Sequence, residues 1–368
     1  FRQIVCESDI FAALATNPRY SGSLPSKMAI VNAPFILPKS TESWQQKLSR
    51  YRKPDVSRAI FELLVTAVPF ALAWLAMFYA FHNGHAWLYA LLLLPASLLL
   101  VRLFMIQHDC GHGAFLPGKR SNDWTGRLIS ILTLAPYDHW RRCHAAHHAT
   151  SGNLSRRGMG DIDTLTVAEY RGRSRWGRFW YRLYRNPLVM FGIGPLYFFG
   201  FKSRLPFGFM RDGWKPWVST MATNVGIIAF AAMAISVMGF WTFLSVHLPI
   251  VIVAATIGVW LFYVQHQFEE TYWAFDGVWN IQEAALQGSS YYDLPGVLRW
   301  FTANIGVHHV HHLSSRVPYY RLQDVMRDHP ELKKLGRLTL PESLKSVRLA
   351  LWDEKTRRLV SFKDARHN

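Results

Sequence analysis

Residues 86–112 read AWLYALLLLPASLLLVRLFMIQHDCGH, an apolar run that ends in two histidines four positions apart. Apart from Arg102 near its end, the stretch from 86 to 106 carries no charge. An α-helix rises about 1.5 Å per residue, so the stretch is long enough to cross a hydrocarbon layer of about 30 Å. It predicts a transmembrane helix that brings His108 and His112 to one membrane face.

Three further apolar segments are also long enough to cross the hydrocarbon layer. They lie at residues 59–81, 217–239 and 241–265. Only residues 82–85 separate the first two segments, and only Gly239 interrupts the last two, so the four form two hairpins. Runs 124–136 and 187–200 are too short to span and predict interfacial or buried helices. The predicted fold class is an all-α polytopic membrane protein, with four transmembrane helices in two hairpins and a helical cytosolic cap.

Positive charge predicts the orientation. All 41 Lys and Arg except Arg102 lie outside the four segments, and neither hairpin turn carries one. By the positive-inside rule the turns face outward and both termini are cytosolic. The predicted regions are an N-terminal cytosolic segment (1–58), hairpin 1 (59–106), a cytosolic region with two histidine motifs (107–216), hairpin 2 (217–265) and a C-terminal cytosolic region with the third motif (266–368). Residues 1–27, upstream of Met28, are expected to be non-native or disordered.

Composition narrows the function classes. Half of the residues are hydrophobic and 18% are charged, which suits a membrane protein with a large water-facing part. The net charge of +17 favours anionic lipid head groups or an acidic protein partner, and the apolar segments disfavour nucleic acid. Cys6, Cys110 and Cys143 form neither a disulfide framework nor a CxxC zinc motif.

The 16 histidines are grouped rather than scattered. Positions i, i+3 and i+4 lie on one face of a helix. This spacing relates the members of three motifs: His108 and His112; His144, His147 and His148; His308, His311 and His312. His266 stands at the end of the fourth apolar segment, whereas His309 falls off the shared face of its motif. His139 lies off the spacing of the second motif, and His247 is expected to be a packed polar residue within a span.

The motifs predict a pair of metal ions. All of them lie at the membrane edge or in the cytosolic parts, so they can converge at one depth. Neutral imidazole binds iron, zinc, copper or nickel, and eight or nine imidazoles exceed what one ion accepts. Iron is favoured, because structural zinc usually brings cysteines and catalytic zinc needs only three protein ligands. Soluble di-iron bundles use a Glu and Glu-x-x-His pattern that the chain lacks.

The three motifs resemble the histidine boxes of the membrane fatty acid desaturases, in the same order and over roughly residues 45–345. Segments 160–166 and 263–269 resemble the acyl-lipid, omega-6 (delta-12-type) bacterial branch. The resemblance implies an O2-dependent enzyme that inserts a cis double bond into a lipid acyl chain at a non-haem di-iron centre. The implied iron ligands are His108, His112, His144, His147, His148, His266, His308, His311 and His312. Among these, His266 is the one ligand outside the three motifs. The acyl-CoA branch of the family has an asparagine one helical turn before the corresponding histidine, where this chain has Phe262.

Ligating histidines usually donate their second ring N–H to a carboxylate or carbonyl. The candidate acceptors are Asp109, Asp138, Asp161, Asp163 and Glu269. Phe262 cannot bridge to a water molecule as the asparagine of the acyl-CoA branch does, and Asn304 is a candidate for that role.

The electron donor is predicted to be a separate protein. The chain has neither a His-Pro-Gly-Gly haem signature nor a GxGxxG nucleotide motif. The resemblance favours a ferredoxin-like carrier over cytochrome b5, and a basic cytosolic face suits an acidic carrier. The expected location is a bacterial inner membrane.

Alternatives remain at this point. A lipid, alkane or carotenoid hydroxylase, ketolase or epoxidase would use the same scaffold. A histidine-rich metal transporter would need polar ligands at mid-membrane depth, where only His247 lies. A basic membrane scaffold leaves the histidine spacing unexplained. The acyl carrier is open among a glycerolipid, CoA and acyl carrier protein.

Overall fold

The computed structural model describes residues 43–158 and 160–366. The expectation for residues 1–27 therefore lies outside the described residues. The α-helices are α1 (Trp44–Ser49), α2 (Val56–His82), α3 (Ala86–Gly111), α4 (Lys119–Thr133), α5 (Tyr137–Thr150), α6 (Val167–Gly172), α7 (Arg175–Tyr184), α8 (Gly194–Gly200), α9 (Trp214–Met238), α10 (Phe240–His266), α11 (Ile281–Gln287), α12 (Gly296–Phe301), α13 (His308–Leu313), α14 (Leu322–Asp328) and α15 (Leu340–Ser346). The strands are β1 (Leu165–Thr166), β2 (Tyr291–Asp293), β3 (Arg337–Thr339), β4 (Leu349–Asp353) and β5 (Arg358–Ser361). Short 3-10 turns lie at Lys202–Arg204, Tyr319–Arg321, Pro330–Lys334 and Asp364–Arg366.

Within the described residues, four helices, α2, α3, α9 and α10, are long and apolar enough to cross a membrane. They confirm the two predicted hairpins. Gly239 separates the second pair with a φ of +83°, a backbone conformation that glycine adopts without a steric penalty. Helix α3 runs to Gly111, five residues beyond its predicted end at 106. The first histidine motif therefore begins on the transmembrane helix itself rather than after it.

Helix α3 is the centre of the membrane bundle. Of the 18 residues that form its most apolar stretch, 56% are buried inside the protein, against 11% for α9. It packs against α2, α4 and α10, and its C-terminal half is buried almost continuously from Leu99 to Cys110. Helix α9 instead exposes large apolar side chains such as Val225 and Ile228, as a lipid-facing helix does. His108, near the end of α3, is thereby held on a largely buried part of the helix.

The cap is helical, as predicted, but small sheets join its distant parts. The predicted run 124–136 forms α4, and 187–200 forms a π-helical turn at Val189–Ile193 followed by α8. Strands β1, β4 and β5 form a sheet in which β1 and β4 are parallel and β4 and β5 antiparallel. Strands β2 and β3 pair in parallel. No strand was predicted from the sequence. The three-stranded sheet joins the C-terminal region to the segment that follows the second histidine motif, and the two-stranded sheet joins two parts of the C-terminal region itself.

Candidate metal centre

The nine predicted ligands come together in two groups. The first group consists of His108, His112, His144, His148 and His311, and the second group of His147, His266, His308 and His312. Within each group, one potential ligand atom from every residue lies within 4.8 Å of the others. The members come from α3 and its C-cap, α5, α10 and α13, which are far apart along the chain.

Two of the histidine motifs are divided between the groups. His144 and His148, four residues apart, join the first group, whereas His147 joins the second. In the third motif His308 and His312 join the second group, and His311 joins the first. Helical positions i+3 and i+4 lie about 100° apart around the axis. The spacing predicted one patch per motif, and the structure instead uses this angular difference to supply both groups from one helix.

The second group has the geometry of a shared coordination site. Its Nε2 atoms form a closed ring with separations of 3.1 Å (His147 to His266), 3.0 Å (His266 to His308), 3.1 Å (His308 to His312) and 3.3 Å (His312 to His147). Metal–imidazole bonds are about 2.0–2.1 Å long, so ligand nitrogens at right angles around one ion lie about 3 Å apart. The four nitrogens therefore have the spacing that a single ion imposes.

Tautomers in the second group leave lone pairs facing one another. His266 Nδ1 lies 3.1 Å from the Gly288 carbonyl oxygen, which only accepts, so this Nδ1 carries the hydrogen. The Nδ1 of His147 donates to the Asp161 carboxylate. In the neutral rings, both Nε2 atoms then point lone pairs at each other across 3.1 Å. A cation between them removes this repulsion, so the donor set fits a metal.

The first group is similar but more open. Its Nε2 atoms are separated by 3.0 Å (His108 to His144), 3.1 Å (His144 to His148) and 3.1 Å (His148 to His311). Within the described chain, the Nε2 of His112 is buried and has no hydrogen-bond partner. The ring centroid of His112 lies 4.8 Å from those of His108 and His311. An ion bound by this group would satisfy the otherwise orphaned nitrogen.

Burial keeps these rings in the form that binds metals. Desolvation, reinforced by neighbouring histidines, holds the pKa well below its usual value near 6.5 for His112, His144, His148, His308, His311 and His312. The rings are therefore neutral at neutral pH, and neutral imidazole is the ligating form.

Two of the candidate acceptor residues contact the histidines. Asp109 Oδ1 lies 3.2 Å from His108 Nδ1, and its other oxygen accepts the Tyr319 backbone N–H at 2.7 Å. Asp161 accepts from His147, and its second oxygen is buried with no partner in the described chain. Both carboxylates are positioned to hold the ring orientation of a ligand.

The other candidates lie elsewhere. Asp138 pairs with Arg127 and Arg141, and Glu269, with a side chain 62% exposed, pairs with Arg358. Asp163 is partly buried, and its carboxylate contacts no histidine of either group in the described part of the chain. The Nδ2 of Asn304 donates to the Tyr319 carbonyl at 3.1 Å. Within the described residues, Asn304 is connected to the site through Tyr319, whose backbone N–H donates to Asp109.

Three groups at the site were absent from the predicted set. The Gly288 carbonyl orients His266, and a backbone acceptor has no signature in sequence. The indole of Trp140 stacks on His144 with ring centroids 4.6 Å apart. The ring of Phe262 lies 5.2 Å from His147 and 5.4 Å from His266. Its position one turn before His266 was visible in the sequence, but its contact with both rings was not.

Three further histidines of the chain have other partners. His139 Nε2 lies 2.9 Å from the Phe207 carbonyl oxygen, and His309 Nε2 lies 3.1 Å from that of Leu332. His247 packs between Phe230 and Phe243 within the membrane bundle. These three residues belong to neither group.

Replacing Asp161 with asparagine is expected to weaken metal binding by about 10–100-fold, because His147 loses the carboxylate that holds its tautomer. Metal retained after dialysis against a graded chelator series measures the change. Glu269→Gln is the matched control, since Glu269 is another candidate acceptor but contacts Arg358 instead. Equal metal retention by both variants would contradict the role given to Asp161.

Comparison with known proteins agrees with this architecture. Residues 85–341 match the family described as Fatty acid desaturase. A protein named fatty acid desaturase from Bacillus subtilis (strain 168) is 42% identical over 324 residues, which cover 88% of this chain and 91% of that protein. Two proteins from Synechocystis are more distant. One, named sn-1 acyl-lipid omega-3 desaturase (ferredoxin), is 29% identical over 60% of this chain and 61% of its own length. The other, named sn-1 oleoyl-lipid 12-desaturase, is 26% identical over 61% of this chain and 63% of its own length. The chain therefore belongs to the fatty acid desaturase family, and it is an oxidoreductase that acts on acyl lipids.

Proposed function

We propose that the two histidine groups hold a non-haem di-iron centre, one ion in each group. The observation that carries the proposal is the convergence of nine imidazoles into two sets, in which neighbouring Nε2 atoms lie about 3 Å apart. Neither set includes a thiolate or a carboxylate among the described residues. An all-imidazole set of this size exceeds the three ligands of catalytic zinc and lacks the cysteines of structural zinc.

The proposed reaction is O2-dependent desaturation. An acyl CH2–CH2 unit loses two hydrogens to become a cis CH=CH unit, while O2 takes up these two hydrogens, two electrons and two protons to give two waters. When bound, the iron pair supplies the oxidising power that an unactivated C–H bond requires. The chain itself orients the imidazoles, through Asp109, Asp161 and the Gly288 carbonyl.

Protein side chains also shield the site. Phe262 covers one side of the second group, and Trp140 stacks on the first. These aromatic faces exclude water from the imidazoles, which protects a reactive site from side reactions. The acyl chain is proposed to lie between the membrane helices and the cap, with its reacting carbons beside the histidine groups. Its position there is the main contribution of the protein to the reaction.

The finer assignment is an acyl-lipid substrate with delta-12 (omega-6-type) selectivity. Its support is the similarity to proteins named sn-1 oleoyl-lipid 12-desaturase and Delta(12)-oleate desaturase, at 23–27% identity. The proposed electron donor is a ferredoxin-like protein, because the names of two relatives, from Synechocystis and Nostoc, include ferredoxin. The net charge of +17 favours an acidic carrier of this kind.

We also propose that both termini and the metal centre face the cytosol of a bacterial inner membrane. The support is the distribution of Lys and Arg, which are absent from both hairpin turns. The division into regions 1–58, 59–106, 107–216, 217–265 and 266–368 is proposed on the same basis.

Expression in a bacterial host that lacks polyunsaturated lipids tests the proposed reaction. The expected product is a lipid acyl chain two mass units lighter, with a new cis bond at the delta-12 position, detected by mass spectrometry of the fatty acids. His308→Ala is the control and is expected to give no product. A product sixteen mass units heavier would instead assign a hydroxylase, and a cis bond elsewhere would refute the delta-12 selectivity alone.

A further inference from the structure

A second polar site lies beside the metal centre, at the cytosolic end of the first hairpin. It is a cavity of about 130 Å³ between the start of α2, the middle of α3, helix α12 and the turn at Tyr319–Arg321. Its charged and hydroxyl-bearing lining is Arg58, Glu62, Arg102, Arg299, Tyr319 and Tyr320. The proposed reaction uses none of these side chains.

Positive charge exceeds negative charge in this cavity. Glu62 is its one acidic lining residue, and it is already engaged by Arg102, Arg58 and the Tyr319 hydroxyl. Arg299 donates to the Leu294 carbonyl and to the side-chain oxygen of Gln323, both of which are neutral. Three guanidinium groups around one carboxylate favour a bound anion, and guanidinium is the side chain best matched to the oxygens of phosphate.

The cavity lies at the depth of the lipid head groups. Helix α2 has 27 residues and is therefore about 40 Å long, which matches a bilayer including its head-group layers. Arg58 and Glu62 belong to the first two turns of this helix, so they fall in the polar layer or at its inner edge. Ile60 and Phe61 on the same turns expose 50% and 55% of their surface. Acyl chains can lie against these residues while a phosphate occupies the cavity.

We propose that this cavity binds the phosphate group of a membrane phospholipid. A phospholipid fits better than a soluble phosphate compound, because the arginines are flanked by exposed apolar side chains at membrane depth. One wall also reaches the metal centre, since the Tyr319 N–H donates to Asp109, which contacts His108. A substrate lipid held here would lie beside the first histidine group. That consequence rests on the proposed function, whereas the phosphate site does not.

Lipid binding by the purified full-length protein tests the proposal without any turnover. Native mass spectrometry in detergent compares phosphatidylglycerol with diacylglycerol of the same acyl chains, with inorganic phosphate as a competitor. Wild-type protein is expected to retain phosphatidylglycerol at least about tenfold more tightly than diacylglycerol. Arg58→Gln and Arg299→Gln are each expected to weaken phosphatidylglycerol binding by about tenfold. Arg120→Gln, an exposed arginine on α4 outside the cavity, is the control and is expected to bind as wild type.

Three results would overturn the proposal. Equal retention of the two lipids would show that the phosphate group is not recognised. Displacement of phosphatidylglycerol by an equal concentration of inorganic phosphate would show that the site binds phosphate without preference for a lipid. If both cavity variants bound phosphatidylglycerol as tightly as the wild type, the lipid would bind outside this cavity. Metal content reports the fold of each variant, and Arg58→Gln alone decides the test if Arg299→Gln does not fold, because the Arg58 side chain is 54% exposed.

Discussion

Replacing His147 with alanine is expected to abolish turnover, with a loss of at least about 100-fold, and to leave at most one iron per chain. His147 closes the ring of the second group, because its Nε2 lies within 3.3 Å of both His266 and His312. Loss of an outer hydrogen-bonding partner alone weakens metal sites about 10–100-fold, so loss of a ligand has at least that effect. Product formation and iron content of the purified variant measure the two consequences.

The matched control for this change is His139→Ala. His139 lies on the same helix, but its Nε2 bonds to the Phe207 carbonyl and it belongs to neither histidine group. This variant is expected to keep the iron content of the wild type. Wild-type iron and activity in His147→Ala would refute the assignment of His147 as a ligand. Equal iron loss in both variants would indicate general unfolding instead.

The second large effect is expected on stability. Replacing Glu62 with alanine is expected to lower the free energy of unfolding by about 3–5 kcal/mol, since it leaves the charge of Arg102 buried without its partner. Both side chains are almost completely buried, at 3% and 2% exposure. Among the described residues, the hydrogen-bond acceptors left to Arg102 would be the Thr66 hydroxyl and the Trp300 carbonyl, which are neutral. The shift of the thermal unfolding midpoint in detergent measures this change.

Two further variants separate the buried pair from the loss of any acidic side chain. Glu270→Ala removes a carboxylate that is 78% exposed, and it is expected to change stability by less than about 1 kcal/mol. The double variant Glu62→Ala, Arg102→Met removes both buried charges, and it is expected to be more stable than Glu62→Ala alone. A double variant less stable than the single one would contradict this account of the pair.

Local pattern was sufficient to predict the membrane bundle and the histidines that come together in the two groups. Apolar length identified the four spanning helices, and the i, i+3, i+4 spacing identified the nine histidines that the structure brings together. Both signals lie within single segments. The spacing could not predict that two motifs are divided between the groups. His147 and His311 each belong to a different group from the other histidines of their own motif. That division depends on how α5 and α13 face each other across the site.

Contacts between distant segments were also beyond the sequence. Glu62 and Arg102 were visible as lone charges in two apolar runs, but their pairing needs the packing of α2 against α3. From the sequence, Asp161 and Glu269 were equally good candidates to accept a hydrogen bond from a ligating histidine. In the folded chain Asp161 contacts His147, whereas Glu269 contacts Arg358. The Gly288 carbonyl has no residue-type signal, because every residue carries the same backbone group.

Iron content of purified, active wild-type protein is the most direct measurement of the central claim. Quantification by elemental mass spectrometry, on protein whose desaturation rate has been recorded in the same sample, is predicted to give two irons per chain. Full activity in protein that contains no iron, or less than one iron per chain, would contradict the account.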